Sequence, residues 1–280
     1  MKKIPKRLSQ LLLGAAMITS LACANRLRDY TQVTMALTAL SSEEVSEEQL
    51  AETTAILEDR LVDIGLELAE VEAVEPDQVA VRLPLGADVQ ATETLLTNTG
   101  QLSSRSQKPD TQAELDSSIE DLQRLLVELN THLKTDDLSQ AEALQPRIDK
   151  ARAAIVDLFE PSELTSAQVA QATAAQAVGD VWEVDIQFDE QGAEQFAAQT
   201  QKIAGTDRSV GIFLDEVLLS APVVAADFSE AGITGGKAVI SGNFTEVAAK
   251  SLEILLNSGP LPVALETVEI TSTADAPASQ

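Results

Sequence analysis

The sequence predicts an α+β fold of two modules joined by an antiparallel helical hairpin. Strand and helix signals alternate before residue 110 and again after residue 180. Between them, leucines and isoleucines recur at heptad spacing. Apolar residues make up 44% of the 280, enough to build real cores.

In the first module, residues 31–37 alternate as a strand with Val33, Met35 and Leu37 on one face. Ser46 and Gln49 form a capping box that opens a helix with Leu50, Leu57, Leu61 and Ile64 along one stripe, stopped by Gly65. Residues 66–74 and 78–83 read as two short strands around Glu75-Pro76-Asp77, a turn with Pro at its second position. A helix over 88–98 ends at Gly100, and a strand follows from Gln101 toward Lys108. The order is βαββαβ, the ferredoxin-like arrangement.

Over 110–160 the pattern changes. Leu115, Ile119, Leu122, Leu126, Leu129 and Leu133 are spaced 4, 3, 4, 3, 4, and Leu144, Ile148, Ala151, Ile155 and Leu158 continue 4, 3, 4, 3. The polar break 134–137 between them makes the two helices a hairpin with one apolar seam. A self-satisfied hairpin and a partner-binding helix both fit this pattern.

The Ala/Gln-rich stretch 166–178 reads as a linker with weak helical character. The second module then supplies a strand at 181–188 and a helix at 190–203 with Ala193, Phe196, Ala197 and Ile203 apolar. Strands at 210–214 and 217–223 flank Asp215-Glu216, and a further strand covers 237–241. Thr245 caps a helix over 246–257 expected to bury Val247, Leu252, Leu255 and Leu256, and 263–272 is a final strand that can return to the first module. Two ferredoxin-like βαββαβ-type subdomains result, over 23–109 and 161–262, with 273–280 as a disordered tail.

Residues 1–22 read as an export signal: Lys2, Lys3, Lys6 and Arg7 precede an apolar run from Leu8 to Ala22. That run is shorter than the ~20 residues needed to span hydrocarbon. Ser20-Leu21-Ala22-Cys23 is similar to a lipobox, which makes Cys23 a lipidation site and the protein a membrane-tethered lipoprotein on the periplasmic side. Cleavage after Ala24 and an uncut short anchor are the alternatives. Cys23 is the single cysteine, so no internal disulfide can form.

The net charge of −26 and an aromatic content of 3% argue against nucleic acid, whose phosphates this surface would repel. His132 is the only histidine and Cys23 the only cysteine, so Ser-His-Asp, Cys-His and ordinary zinc sites are not expected. His132 reads as a solvated helix residue. No catalytic residue, cofactor, metal or small-molecule substrate is expected; among 45 acidic residues a carboxylate pair is the one enzymatic option left. Gly232, Gly235, Gly236 and Gly242 raise the question of a phosphate loop. Three of them precede a strand rather than a helix, and no basic group follows Gly242 before the helix, so they read as structural turn glycines.

Leu214-Asp215-Glu216-Val217-Leu218-Leu219-Ser220-Ala221-Pro222-Val223, the glycine segment 232–245 and Asn257-Ser258-Gly259-Pro260-Leu261-Pro262-Val263 together resemble the first periplasmic domain of SecD, a membrane subunit of the Sec export machinery. Arg60-Leu61-Val62-Asp63-Ile64-Gly65 and Val81-Arg82-Leu83-Pro84 are similar to its base region. The resemblance implies a base and a head subdomain and no chemical active site. It also implies contact of the head with unfolded preprotein or with translocon subunits, for which Ser220, Ala221, Pro222, Val223 and Val224 are the candidates. The Asp-Leu-Arg/Gln-Gly-Gly signature of the family's first base strand is absent, with Leu27-Arg28-Asp29-Tyr30 in its place. A structural or regulatory lipoprotein that keeps the fold without preprotein contact is the competing expectation.

Overall fold

A computed structural model describes residues 29–40, 44–74, 77–135, 137–161 and 164–273. The expected signal over 1–22, Cys23 and the expected tail from 274 lie outside them. The first module contains β1 (Tyr30–Ala39), α1 (Glu47–Asp63), β2 (Glu70–Val74), β3 (Gln78–Pro84) and α2 (Val89–Thr97). Ser46 caps α1 with the expected box, its side chain accepting from the Gln49 amide while the Gln49 side chain accepts from the Ser46 amide.

The sheet of this module has the order β11-β1-β3-β2, where β11 (Val263–Ser272) is the last strand of the chain. This is a ferredoxin-like sheet whose fourth strand comes from the far end of the sequence. The expected fourth strand, β4 (Leu102–Ser106), leaves for the second module and pairs with β8 (Val210–Leu214). Length and composition explain the exchange. β11 is ten residues rich in β-branched side chains, lies antiparallel along the whole of β1 and buries Val263 and Leu265. β4 is five residues, three of them serine. Val33, Met35, Leu37, Val79, Val81 and Leu83 form the core face, covered by Ile56, Leu57 and Leu61 of α1 and Leu96 of α2.

In the second module the strands divide between two sheets, β10-β7-β6 and β5-β4-β8-β9. They comprise β5 (Leu164–Thr165), β6 (Val169–Gln176), β7 (Trp182–Phe188), β8, β9 (Val217–Ser220) and β10 (Lys237–Phe244). The helices α5 (Glu190–Ile203) and α6 (Glu246–Asn257) complete one core between the sheets, centred on Val184, Ile186, Phe196, Ile212, Ile240 and Leu252. The expected linker over 166–178 is corrected here, since most of it is β6, paired antiparallel with β7. Its alanines are small enough to bring α6 against the strand, and the Asn257 side chain satisfies both backbone groups of Ala172 at 2.8 and 3.0 Å. Helix propensity loses to that tertiary contact. Val247 is also corrected: it is exposed on the outer face of α6, and Ala249 is buried instead.

The hairpin is α3 (Gln112–Lys134) and α4 (Leu138–Val156), packed antiparallel. Its foot joins Leu115, Ile155, Leu158 and Phe159 to Phe213 of β8, with the two phenylalanine rings edge-on at 5.0 Å. Toward the tip the expected seam rotates outward. Leu126 and Leu133 are exposed, while Leu122, Leu125 and Leu129 are half-buried. At about 100° per residue, Leu126 and Leu133 lie within about 20° of Leu115 around the helix axis, whereas the half-buried Leu125 and Leu129 lie about 80° and 40° to one side, so the covered face of α3 itself turns between the foot and the tip.

Candidate functional site

The segment that leaves β9 carries the five residues expected to contact a partner, and the structure divides them. Ser220 pairs with Ile212, and Ala221 packs with Leu218 against the hairpin foot. Pro222 and Val223 face solvent, Val223 being 53% exposed. Val224 is 4% exposed, in the head core, and its carbonyl accepts from the Gly205 amide. Val224 therefore offers no surface to a partner. The backbone here is pinned by the Val210 amide on the Pro222 carbonyl at 2.9 Å and by a bridge between Ser209 and Val223. Phe228, in the turn that follows, is a further exposed apolar side chain.

Two clefts flank the short strand β5. The larger, about 640 Å³, opens between the β4–β5 edge and the hairpin foot, with Ser103, Arg105, Phe159, Glu216 and Pro260 in its walls. The Arg105 guanidinium lies 4.8 Å from the centre of the Phe213 ring and pairs with both Glu216 carboxylate oxygens. The second cleft, about 430 Å³, lies between β4 and α5 and is lined by Ser104, Ser106, Leu164, Gln195 and Gln199. Glu160 belongs to both.

Glu160 accepts from Lys202 and from Arg208, each at 2.8 Å. The Lys202 hydrogen bond, together with the attraction of both cations, outweighs partial burial and holds its carboxyl below the ordinary glutamate value of 4.5. Its contribution to stability is complete above pH 4.5 and is lost as pH falls through the lowered folded-state value. The gap in melting temperature between wild type and Glu160→Gln is therefore expected to be constant near neutrality and to close on acidification. A pH series of thermal melts on both proteins checks it, and a gap that does not narrow at all as the pH falls below 4.5 would deny the ion pair that role.

The glycine segment is wrapped onto α5. Gly232, Gly235 and Gly236 have positive φ, and the Ile233 amide donates to the Thr200 hydroxyl at 2.8 Å. Gly242 departs from the expectation of a turn: it sits inside β10, beside the register shift between Ser241 and Phe244, where the strand pairs with β7. The start of α6 is occupied by its own cap, Thr245, which accepts from the Ala248 amide at 3.2 Å. His132 stands near the hairpin tip with Nδ1 3.7 Å from the Asp137 carboxylate. Among the described residues no cluster of His, Cys, Asp or Glu is placed to hold a metal ion, and no helix is long and apolar enough to cross a membrane.

Two residues gain a place that periodicity could not give them. Arg60, on the buried face of α1, is 0% exposed and donates to backbone on both sides of the module boundary. Asp215 sits in the β8–β9 turn but accepts from the backbone of 99–101. Asp215-Glu216 reads as a plain turn in sequence because its partners lie more than a hundred residues away.

Residues 142–263 match the family of the SecDF P1 head subdomain. The protein translocase subunit SecD of Synechocystis sp. is 35% identical over 237 residues, covering 81% of this chain and 49% of that protein. SecD of Prochlorococcus marinus is 30% identical over 278 residues, 87% of this chain and 56% of that protein. The chain thus spans about half the length of the curated relatives it matches. Among solved structures, SecDF in its super-membrane-facing form superimposes with a TM-score of 0.62 at 22% identity, over 87% of this chain and 30% of that one. A structure described as a membrane component SecDF that enhances protein export gives 0.59 at 22% identity, over 86% and 99%. With sequence similarity running through both modules and a shared base-and-head fold, the chain is a homologue of SecD built on the periplasmic domain of that family.

Proposed function

We propose that the chain is a non-enzymatic accessory of protein export. It works on the periplasmic side, tethered to the membrane through lipidated Cys23, and its head touches unfolded preprotein or the Sec translocon. The observation that carries this reading is the 35% identity to SecD across 81% of the chain. The head geometry supports it. Pro222, Val223 and Phe228 expose apolar surface on one short segment, and two open clefts flank β5. Exposed apolar surface of this kind suits weak, sequence-tolerant contact with extended chains.

A photo-crosslinking residue at Val223, in cells holding a stalled secretory chain, is expected to trap that chain or a translocon subunit. The same probe at Glu72, on the solvent face of the base sheet, is expected to trap neither. Absence of adducts at Val223 in a folded protein would favour a structural or regulatory lipoprotein that keeps this fold without preprotein contact.

A further inference from the structure

The chain passes between the modules twice, outward through 98–101 and back through 258–262. Arg60 reaches both passages. Its Nη1 donates to the carbonyls of Leu95 and Asn98 at 3.2 and 2.5 Å, and its Nη2 to the carbonyl of Thr99 at 3.5 Å. On the return passage Nη2 meets the Gly259 carbonyl at 3.2 Å and Nε the Ser258 hydroxyl at 3.1 Å. A guanidinium has five N–H donors, and five acceptors stand around this one.

The head closes on the outward passage from the other side. The Asp215 carboxylate accepts from the amides of Thr99 (2.9 Å), Gly100 (3.3 Å) and Gln101 (2.8 Å) and from the Thr99 hydroxyl. The Asp215 amide donates to the Gln101 carbonyl at 3.0 Å. The Thr99 carbonyl also accepts from the Leu261 amide at 2.7 Å, which ties the two passages to each other. The packing leaves no slack: a Cβ on Gly100, at φ +73°, would lie 3.0 Å from Arg60 Nη2 and 3.2 Å from the Leu255 carbonyl.

No carboxylate is bonded to Arg60 directly. Burial lowers its pKa to about 10, and Asp215 is the charge that pulls against that shift. The site therefore holds a buried cation by a complete set of neutral acceptors, some belonging to the base and some to the head. Shifting the head would remove the Ser258 and Gly259 acceptors while those of Leu95 and Asn98 stayed, leaving buried donors without partners. Such a junction resists small displacements and gives way only as a whole.

We propose that Arg60 and Asp215 form a latch that fixes the head on the base and couples the two passages, so that they open together. The latch is built from the 98–101 and 258–262 backbone, and it stands whether or not the head touches preprotein.

Amide hydrogen exchange on the full chain tests it with Asp215→Asn and Arg60→Lys. Asp215→Asn is expected to speed exchange at Thr99, Gly100 and Gln101 at least tenfold. The Leu261 amide, which Asp215 does not touch, is expected to speed by a similar factor. The sheet amides of Val81 in the base and Ile186 in the head should keep their wild-type rates. Arg60→Lys, with three donors for five acceptors, is expected to give the same coupled pattern. If Arg60→Lys does not fold, the Leu261 amide in Asp215→Asn decides alone. Acceleration confined to 99–101, or equal acceleration across both sheets, overturns the latch.

Discussion

Gly232→Ala is expected to be the most damaging small substitution in the head, costing more than about 4 kcal/mol, beyond the usual range for a point change. Two independent effects add there. The residue has φ +68°, which an L side chain adopts at a cost of about 1–2 kcal/mol. A Cβ would also lie 1.8 Å from the Ala197 carbonyl oxygen and 2.6 Å from its carbon. Both are backbone atoms of α5, so no rotamer change can clear them.

Gly235→Ala separates the two effects. It has φ +87° but open space around its Cβ position, so only the conformational cost of about 1–2 kcal/mol applies. Gly236 lies between, at φ +66° with the Ala193 methyl 2.7 Å away. Trp182, the single tryptophan, sits in β7 opposite Phe244 of β10, so its fluorescence during urea denaturation reads the head directly. Equal losses at 232 and 235 would mean that the loop lifts off α5 and that the close approach carries no energy. Phosphate and nucleotides are expected to leave the melting temperature unchanged. A ligand that binds only the native state would raise it.

The parts legible in the sequence are those fixed by near neighbours. The capping box at Ser46, the Thr245 cap and the Asp215-Glu216 turn are each written within four residues. Strands whose partners are distant are harder to place. β11 beside β1 and β4 beside β8 are pairings across more than a hundred residues, which nothing local to either strand specifies. β6 fails on composition, because alanine and glutamine favour helix until α6 supplies a surface that only small side chains fit. The site shows the same division. Exposure at Val223 and burial at Val224 follow from one strand bridge, and Arg60 looks like an ordinary helix charge until its acceptors are assembled around it.

The hairpin carries the second large prediction. Leu115 is 1% exposed in the cluster with Ile155, Leu158, Phe159 and Phe213, and Phe213 belongs to β8. Leu115→Asp puts an unpaired carboxylate there, at a cost of about 3–5 kcal/mol. Leu126 sits 39% exposed where the seam has already turned outward, so Leu126→Asp should cost about 1 kcal/mol or less. The contrast separates two architectures. If the hairpin were an independent appendage, Leu115→Asp would remove helical circular dichroism and leave the Trp182 transition of the head in place. The shared cluster predicts instead that both signals shift together to lower denaturant, because the foot of the hairpin is also the outer layer of the β5-β4-β8-β9 sheet. Separate transitions in that variant would refute the shared core. A Leu126→Asp protein as unstable as Leu115→Asp would refute the outward turn of the seam toward the tip.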